Sequence, residues 1–154
     1  MKVAVIPVPI VDIQSVVEEI NMGINKEYND VKNFHKAFNH PIADKPTLMD
    51  EDRANARFAW MQEEIFEFLK ATENQDIYEQ ADAMIDLIYF ALGTLVELGI
   101  PPEEIFEIVQ NANMSKLWED GKPRYNEIGK VKKPPTWQDP HDKIVEAIDR
   151  MRTT

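Results

Sequence analysis

Two aspartates, Asp82 and Asp86, interrupt a nearly continuous apolar run from Ala81 to Leu98. Positions four apart on a helix differ by about 40°, so both carboxylates project from one face, with Glu79 one turn earlier on the same line. An unpaired carboxylate in apolar surroundings is costly even after relaxation, so this pair calls for a cation or an aqueous pocket. Upstream, Glu63, Glu64 and Glu67 form a second set sharing a face. Clustered glutamates are ordinarily a solvated helix face; here two facing helices would instead offer both acidic stripes to one cavity. Oxygen ligands in that number suit Mg²⁺, with Mn²⁺ as a substitute, rather than zinc or copper. The chain has no cysteine, and its histidines are His35, His40 and His141, so a sulfur- or nitrogen-rich centre is not expected.

The elements that position these residues are mainly helical. Leu48 to about Ala71 reads as a long helix with the apolar stripe Phe58, Met61, Ile65, Phe68 and Leu69. A polar break over Thr72–Gln75 precedes a far more apolar helix, Ile77–Leu98, that should be largely buried and end at Gly99 as C′ residue. So short a break makes the two helices antiparallel neighbours. Pro101, with Glu103 and Glu104 in the first turn, opens another helix running to about Asn113. Earlier, Asn29 or Asp30 opens a helix ending near Phe38, before Asn39, His40 and Pro41, with His35 beside its apolar stripe. Val3, Val5 and Ile6 mark a short extended arm over Lys2–Val11, limited to an edge by Pro7 and Pro9, and a short helix follows from Asp12 to about Met22.

Residues 116–139 are rich in Pro, Gly, Lys and Trp and lack a helical period, a length of loop that usually has a task. Pro140–Met151 closes the chain as an amphipathic helix. Lys116, Lys122, Arg124, Lys130, Lys132 and Lys133 make this loop the one basic stretch, able either to close over phosphate or to balance the acidic body. Trp118, Tyr125 and Trp137 would anchor the loop or stack on a base. His35, between Phe34 and Phe38, is a packing residue or a contact to base or phosphate.

The composition sets the outer bounds. A chain of 154 residues, 44% hydrophobic, suits a single domain, 1–154. With 17 Lys+Arg against 28 Asp+Glu, the net charge of −11 argues against binding a nucleic-acid backbone, whereas a small phosphorylated ligand bridged by divalent cations remains compatible. No apolar run reaches the roughly 18 residues of a membrane span, and Met1–Val11 lacks the features of a signal peptide. A soluble, cytoplasmic protein without a membrane or nucleic-acid partner is therefore expected.

The run Glu63-Glu64-Ile65-Phe66-Glu67, followed by a helix carrying Asp86-Leu87-Ile88-Tyr89, resembles the MazG-like all-α nucleoside triphosphate pyrophosphohydrolases, in the branch related to phosphoribosyl-ATP pyrophosphohydrolase. Phe34-His35-Lys36-Ala37-Phe38, Gly93–Ile100, Ala112-Asn113-Met114-Ser115-Lys116 and Asp120-Gly121-Lys122-Pro123 agree with it. The resemblance covers roughly residues 28–145 and leaves 1–26 as an extension without an assigned role. The family pattern is EExxE followed by ExxD, and Ala83 stands where its second motif has glutamate. Asp82 compensates from the preceding position, or Glu79 to Asp82 serves as a shifted ExxD.

The resemblance implies an all-α fold with a four-helix bundle core and peripheral helices, assembled as a homodimer or homotetramer. It also implies magnesium-dependent hydrolysis between the α and β phosphates of a nucleoside triphosphate, giving monophosphate and pyrophosphate. Glu64, Glu67 and Asp86 rank first as metal ligands, then Asp82 and Glu63, then Glu79. Glu63 orients or deprotonates the attacking water if it is not itself a ligand, and forms with Glu64 the catalytic pair. Substrate phosphate falls to Asn113 and Lys116, with Lys122, Arg124 and His35 as further substrate contacts. Phosphoribosyl-ATP is the alternative substrate, and a non-enzymatic helical interaction module the alternative class. A di-iron carboxylate bundle is disfavoured because no Glu-x-x-His pair occurs.

Overall fold

The computed structural model describes residues 23–153. The arm expected over Lys2–Val11 and the helix expected from Asp12 lie outside the described residues. Five helices follow one another: α1 (Ile24–Ala37), α2 (Glu51–Glu73), α3 (Ile77–Leu98), α4 (Pro102–Met114) and α5 (His141–Thr153). The fold is all-α, and among the described residues the only β pairing is an isolated bridge between Tyr125 and Val131. No single described helix is long and apolar enough to cross a membrane.

Local chemistry sets the ends of these helices. Asp50 caps α2 by accepting from Arg53 N at 2.9 Å, which starts the helix at Glu51 rather than near Leu48. Asp76 caps α3 through Tyr78 N and Glu79 N, and Gly99, at φ 67, ends it in the left-handed region, where a side chain would be strained. Val96 O and Leu98 O at that end accept from Ala43 N and Thr47 N, so the loop after α1 covers carbonyls the helix cannot satisfy itself. α1 starts at Ile24, earlier than Asn29. Asn25 donates to Glu103 at 2.8 Å and accepts from Glu103 N at 3.2 Å, tying the first turn of α1 to that of α4.

α2 and α3 pack antiparallel, in a register fixed by Arg53–Glu97, Arg57–Thr94, Trp60–Phe90 and Thr72–Gln80. α1 lies against α3 and also touches α4, while α5 packs on α4. The apolar core is small: Tyr28 and Val31 of α1 close on Leu92 and Val96 of α3, flanked by Ile24, Ile42 and Leu95.

Two expectations are corrected. The stripe Phe58, Met61, Ile65, Phe68, Leu69 is not the buried face of α2, since Phe58 and Ile65 are 59% and 47% exposed while Arg57, Glu64 and Ala71 are buried. One residue of phase is 100° of rotation, and Arg57 can face inward because α3 satisfies its guanidinium. Nor is α3 buried on most sides. Ile77, Ile85 and Ile88 are each more than half exposed, because the helices packed on α3 in the described chain are chiefly α2 and α1, and the loop after α1 covers only its C-terminal end.

Candidate metal and nucleotide site

The antiparallel register stacks the facing residues of α2 and α3 in tiers about one helical turn apart. Trp60 stacks on Phe90 with ring centroids 6.0 Å apart. One turn further along each helix the same register sets Glu64 level with Asp86, and Glu67 follows level with Ala83 and Asp82. Glu64 is buried, and its Oε2 has no hydrogen-bond partner. Burial raises the Glu64 carboxyl above its ordinary value, and the charges of Glu67, Asp86, Glu63 and Asp82 raise it further. Four of the acidic residues picked from the sequence thus surround the fifth.

Glu79 stands one step further out, lining with Glu67, Lys70, Ala71 and Asn74 a cleft of ≈ 330 Å³. Asp82, beside Ala83, is one of the charges that act on Glu64, while Glu79 lines the same cleft as Glu67. Ala83 itself is packed in the helix interface. Among the described residues no three His, Asp or Glu side chains are gathered into a closed coordination shell. The donor set nevertheless fits a divalent cation: it is all oxygen, it repels itself, and it includes a buried oxygen without a donor.

On the other side of the tier lies an aromatic cleft of ≈ 170 Å³, formed by Phe34, His35 and His40 with Trp60, Tyr89, Phe90 and Arg57. His35 is buried, and its Nδ1 lies 2.8 Å from Pro41 O. A carbonyl only accepts, so Nδ1 carries the proton and Nε2 keeps its lone pair. Burial lowers the His35 pKa, aided by the Arg57 and His40 charges, so the ring is neutral at pH 7.

Arg57 was not singled out by sequence pattern. Its guanidinium donates to Thr94 Oγ1 at 3.0 Å, to Phe90 O, and to Glu97 Oε1, which Arg53 also binds at 2.6 Å. It sits over both the Trp60 and Phe90 rings. Gly93 permits this, since a Cβ there would meet Arg57 Nη2 at 2.5 Å and His35 Nε2 at 2.9 Å. The available signal was phase: Arg57, Trp60, Glu64 and Ala71 repeat at helical spacing on one face.

The basic residues fall elsewhere. Lys116 Nζ donates to Asn113 Oδ1 at 2.7 Å, joining that pair at the end of α4. α4 packs on α1 and α5 rather than on α2, so helix packing does not carry Asn113 and Lys116 onto the carboxylates. Arg124 is paired with Asp120 at 2.9 Å and lies over Trp118. Lys122 makes its contacts there through backbone atoms, including Lys122 N to Asp120 Oδ1. Trp137 anchors the loop by donating to Ala112 O at 2.8 Å.

Comparison with known proteins gives one family match and a match to a solved protein. Residues 31–113 match the family model described as phosphoribosyl-ATP pyrophosphohydrolase. A solved protein from Exiguobacterium sp. 255-15, provisionally assigned as an NTP pyrophosphohydrolase, is 34% identical over 80% of this chain and 94% of its own, with a TM-score of 0.47. No curated protein matches the chain.

Proposed function

The chain belongs to the phosphoribosyl-ATP pyrophosphohydrolase family, within the MazG-like all-α pyrophosphohydrolases, and on that premise we propose that it is a magnesium-dependent nucleoside triphosphate pyrophosphohydrolase. The observation that carries the reading is Glu64: a buried carboxylate with an unpartnered oxygen, ringed by Glu67, Asp86, Glu63 and Asp82. Glu64, Glu67, Asp86 and Asp82 would hold Mg²⁺, or Mn²⁺ in its place, with Glu79 at the edge of the site. A divalent cation there supplies neutralisation of phosphate charge and a more acidic water.

Glu63 is solvent-exposed, as are Glu67, Asp82 and Asp86, and beside the buried Glu64 it would take a proton from water. Water oxygen adds to phosphorus, the bridging P–O bond between the α and β phosphates breaks, and pyrophosphate leaves with the monophosphate as second product. The nucleoside end lies one turn away, among Phe34, His35, Trp60, Tyr89 and Phe90, where a base finds stacking faces. Asn113, Lys116, Lys122 and Arg124 supply donors to outer phosphate oxygens in an assembled homodimer or homotetramer. Association also covers exposed apolar side chains such as Phe66, Ile85 and Ile88.

Phosphoribosyl-ATP is the second reading, favoured by the description of the matched family. The test is pyrophosphate release with Mg²⁺ from nucleoside triphosphates and from phosphoribosyl-ATP, by wild type, Glu64→Gln and Asp86→Asn. Release lost in both variants supports the site. Release from phosphoribosyl-ATP alone replaces the first substrate with the second. Folded protein that acts on none of them and gains no stability from magnesium removes the enzyme reading and leaves the helical interaction module.

A further inference from the structure

We infer that Lys70 binds the terminal phosphates of the substrate and receives the departing pyrophosphate. The inference rests on the proposed hydrolase reading for the reaction, and on the face of α2 for the place of the lysine.

Charge is the first observation. The α2–α3 pair carries three basic side chains, Arg53, Arg57 and Lys70. Arg53 and Arg57 are committed to Glu97, far from the acidic tier. The Lys70 ammonium has no hydrogen bond or ion pair among the described residues, although Lys70 lines a cleft of ≈ 330 Å³ together with Glu67, Glu79 and Asn74. A glutamate three residues before a lysine is its ordinary partner on a helix. Here the Glu67 charge bears on Glu64 instead. With the carboxylates holding divalent cations, Lys70 is left for an anion. The donors proposed on α4 and the loop after it belong to elements that do not pack on α2, whereas Lys70 shares a helix with the carboxylates.

Position is the second. Glu63, Glu67, Lys70 and Asn74 follow one another at spacings of four, three and four residues, so at 100° per residue they fall within about 60° on one flank of α2. Along the axis Lys70 stands about 4.5 Å beyond Glu67, and Glu63 about 6 Å before it. An in-line displacement sets the attacking and leaving oxygens on opposite sides of phosphorus. Glu63 takes the proton from water on one side of Glu67, so the leaving group departs on the other, toward Lys70. Water oxygen bonds to the α phosphorus, the bridging P–O bond breaks, and its electron pair goes to pyrophosphate. Lys70 stays protonated and donates hydrogen bonds to non-bridging oxygens of the β and γ phosphates.

The experiment measures kcat/KM with Mg²⁺ for each triphosphate that is hydrolysed and for the matching diphosphate, in wild type, Lys70→Ala, Lys70→Arg and Lys143→Ala. Calorimetric binding of pyrophosphate in the presence of Mg²⁺ runs alongside. Lys70 is exposed, so its truncation leaves the fold in place, and Lys143, on α5, removes the same charge away from the carboxylates. Lys70→Ala should lower kcat/KM for triphosphates by at least about 10-fold, the loss of one charge-assisted hydrogen bond, and weaken pyrophosphate binding by a similar factor. The diphosphate, which lacks the γ phosphate, should lose less. Lys70→Arg should recover most of the loss, and Lys143→Ala should match wild type. Wild-type turnover and pyrophosphate binding in Lys70→Ala, or an equal loss for triphosphate and diphosphate, overturns the inference while leaving the hydrolase reading intact. If wild type hydrolyses nothing, the hydrolase reading fails and pyrophosphate decides: weaker binding in Lys70→Ala upholds the phosphate contact, and equal or absent binding ends it.

Discussion

Trp60 of α2 and Phe90 of α3 stack with ring centroids 6.0 Å apart, and one helical turn further along the same two helices stand Glu64 and Asp86. A nucleotide has the same bipartite character, an aromatic base at one end and a polyanion at the other. Both parts of the proposed site draw on this antiparallel pair, with α1 adding Phe34 and His35 to the aromatic part, so a change in register of either helix would disturb both.

The carboxylate tier makes the first prediction. Glu64→Gln and Asp86→Asn should each reduce magnesium-dependent pyrophosphate release by at least about 100-fold, the loss expected when a metal site is disturbed. The same Glu64→Gln change should raise the melting temperature of metal-free protein, because it removes a buried charge surrounded by like charges. A variant that loses activity and also melts lower would point to a structural role instead.

Metal-free stability should depend on pH in a definite sense. The Glu64 carboxyl is raised above 4.5 in the folded chain, so as pH climbs from that value the unfolded state releases its proton first. The folded state then holds more protons, and stability falls with rising pH through the window that begins near 4.5. Urea unfolding across that range checks the slope, and Glu64→Gln should flatten it.

The Arg53–Glu97–Arg57 cluster should be strongly coupled. The Glu97 and Arg57 side chains are nearly inaccessible, and the cluster holds two guanidiniums to one carboxylate. Glu97→Ala leaves Arg57 buried without its counter-charge and should cost about 3–5 kcal/mol in urea unfolding. Arg53→Ala, which removes the more accessible partner, should cost far less.

Gly93→Ala separates two opposed effects. Alanine ordinarily stabilises a helix interior by about 1 kcal/mol relative to glycine. Here its Cβ meets Arg57 and His35, so the variant should instead lose about 1–3 kcal/mol as the site is overpacked. Unfolding of the purified variant gives the sign, and a net gain in stability would show that the two side chains have room to move.

Assembly provides the last test. Phe66 and Ile85 are exposed in the single chain, so Phe66→Glu and Ile85→Glu should leave it folded and break association. Light scattering behind size exclusion should show wild type at two or four copies and the variants at one. Wild type at one copy would remove the proposed oligomer.

The sequence by itself determined the helical elements, the bounds of α3 and the start of α4, because breakers act over a few residues: Gly99 and Pro101 are local signals, whereas the Asp50 cap, which moves the start of α2 from near Leu48 to Glu51, was passed over. It also determined the acidic group, since Asp82 and Asp86 in an apolar helix and Glu63, Glu64 and Glu67 in its neighbour are anomalies of spacing alone. The start of α1 was hidden because it depends on Asn25 reaching Glu103, a partner remote in the chain. The inward face of α2 was hidden for a different reason. Hydrophobic periodicity reads Phe58 as core and Arg57 as surface, and only the tertiary structure brings Glu97, Thr94 and the Phe90 carbonyl to Arg57 and reverses the order. Composition shows which side chains prefer to leave water. Whether a charged one can follow them depends on the partners that another helix supplies.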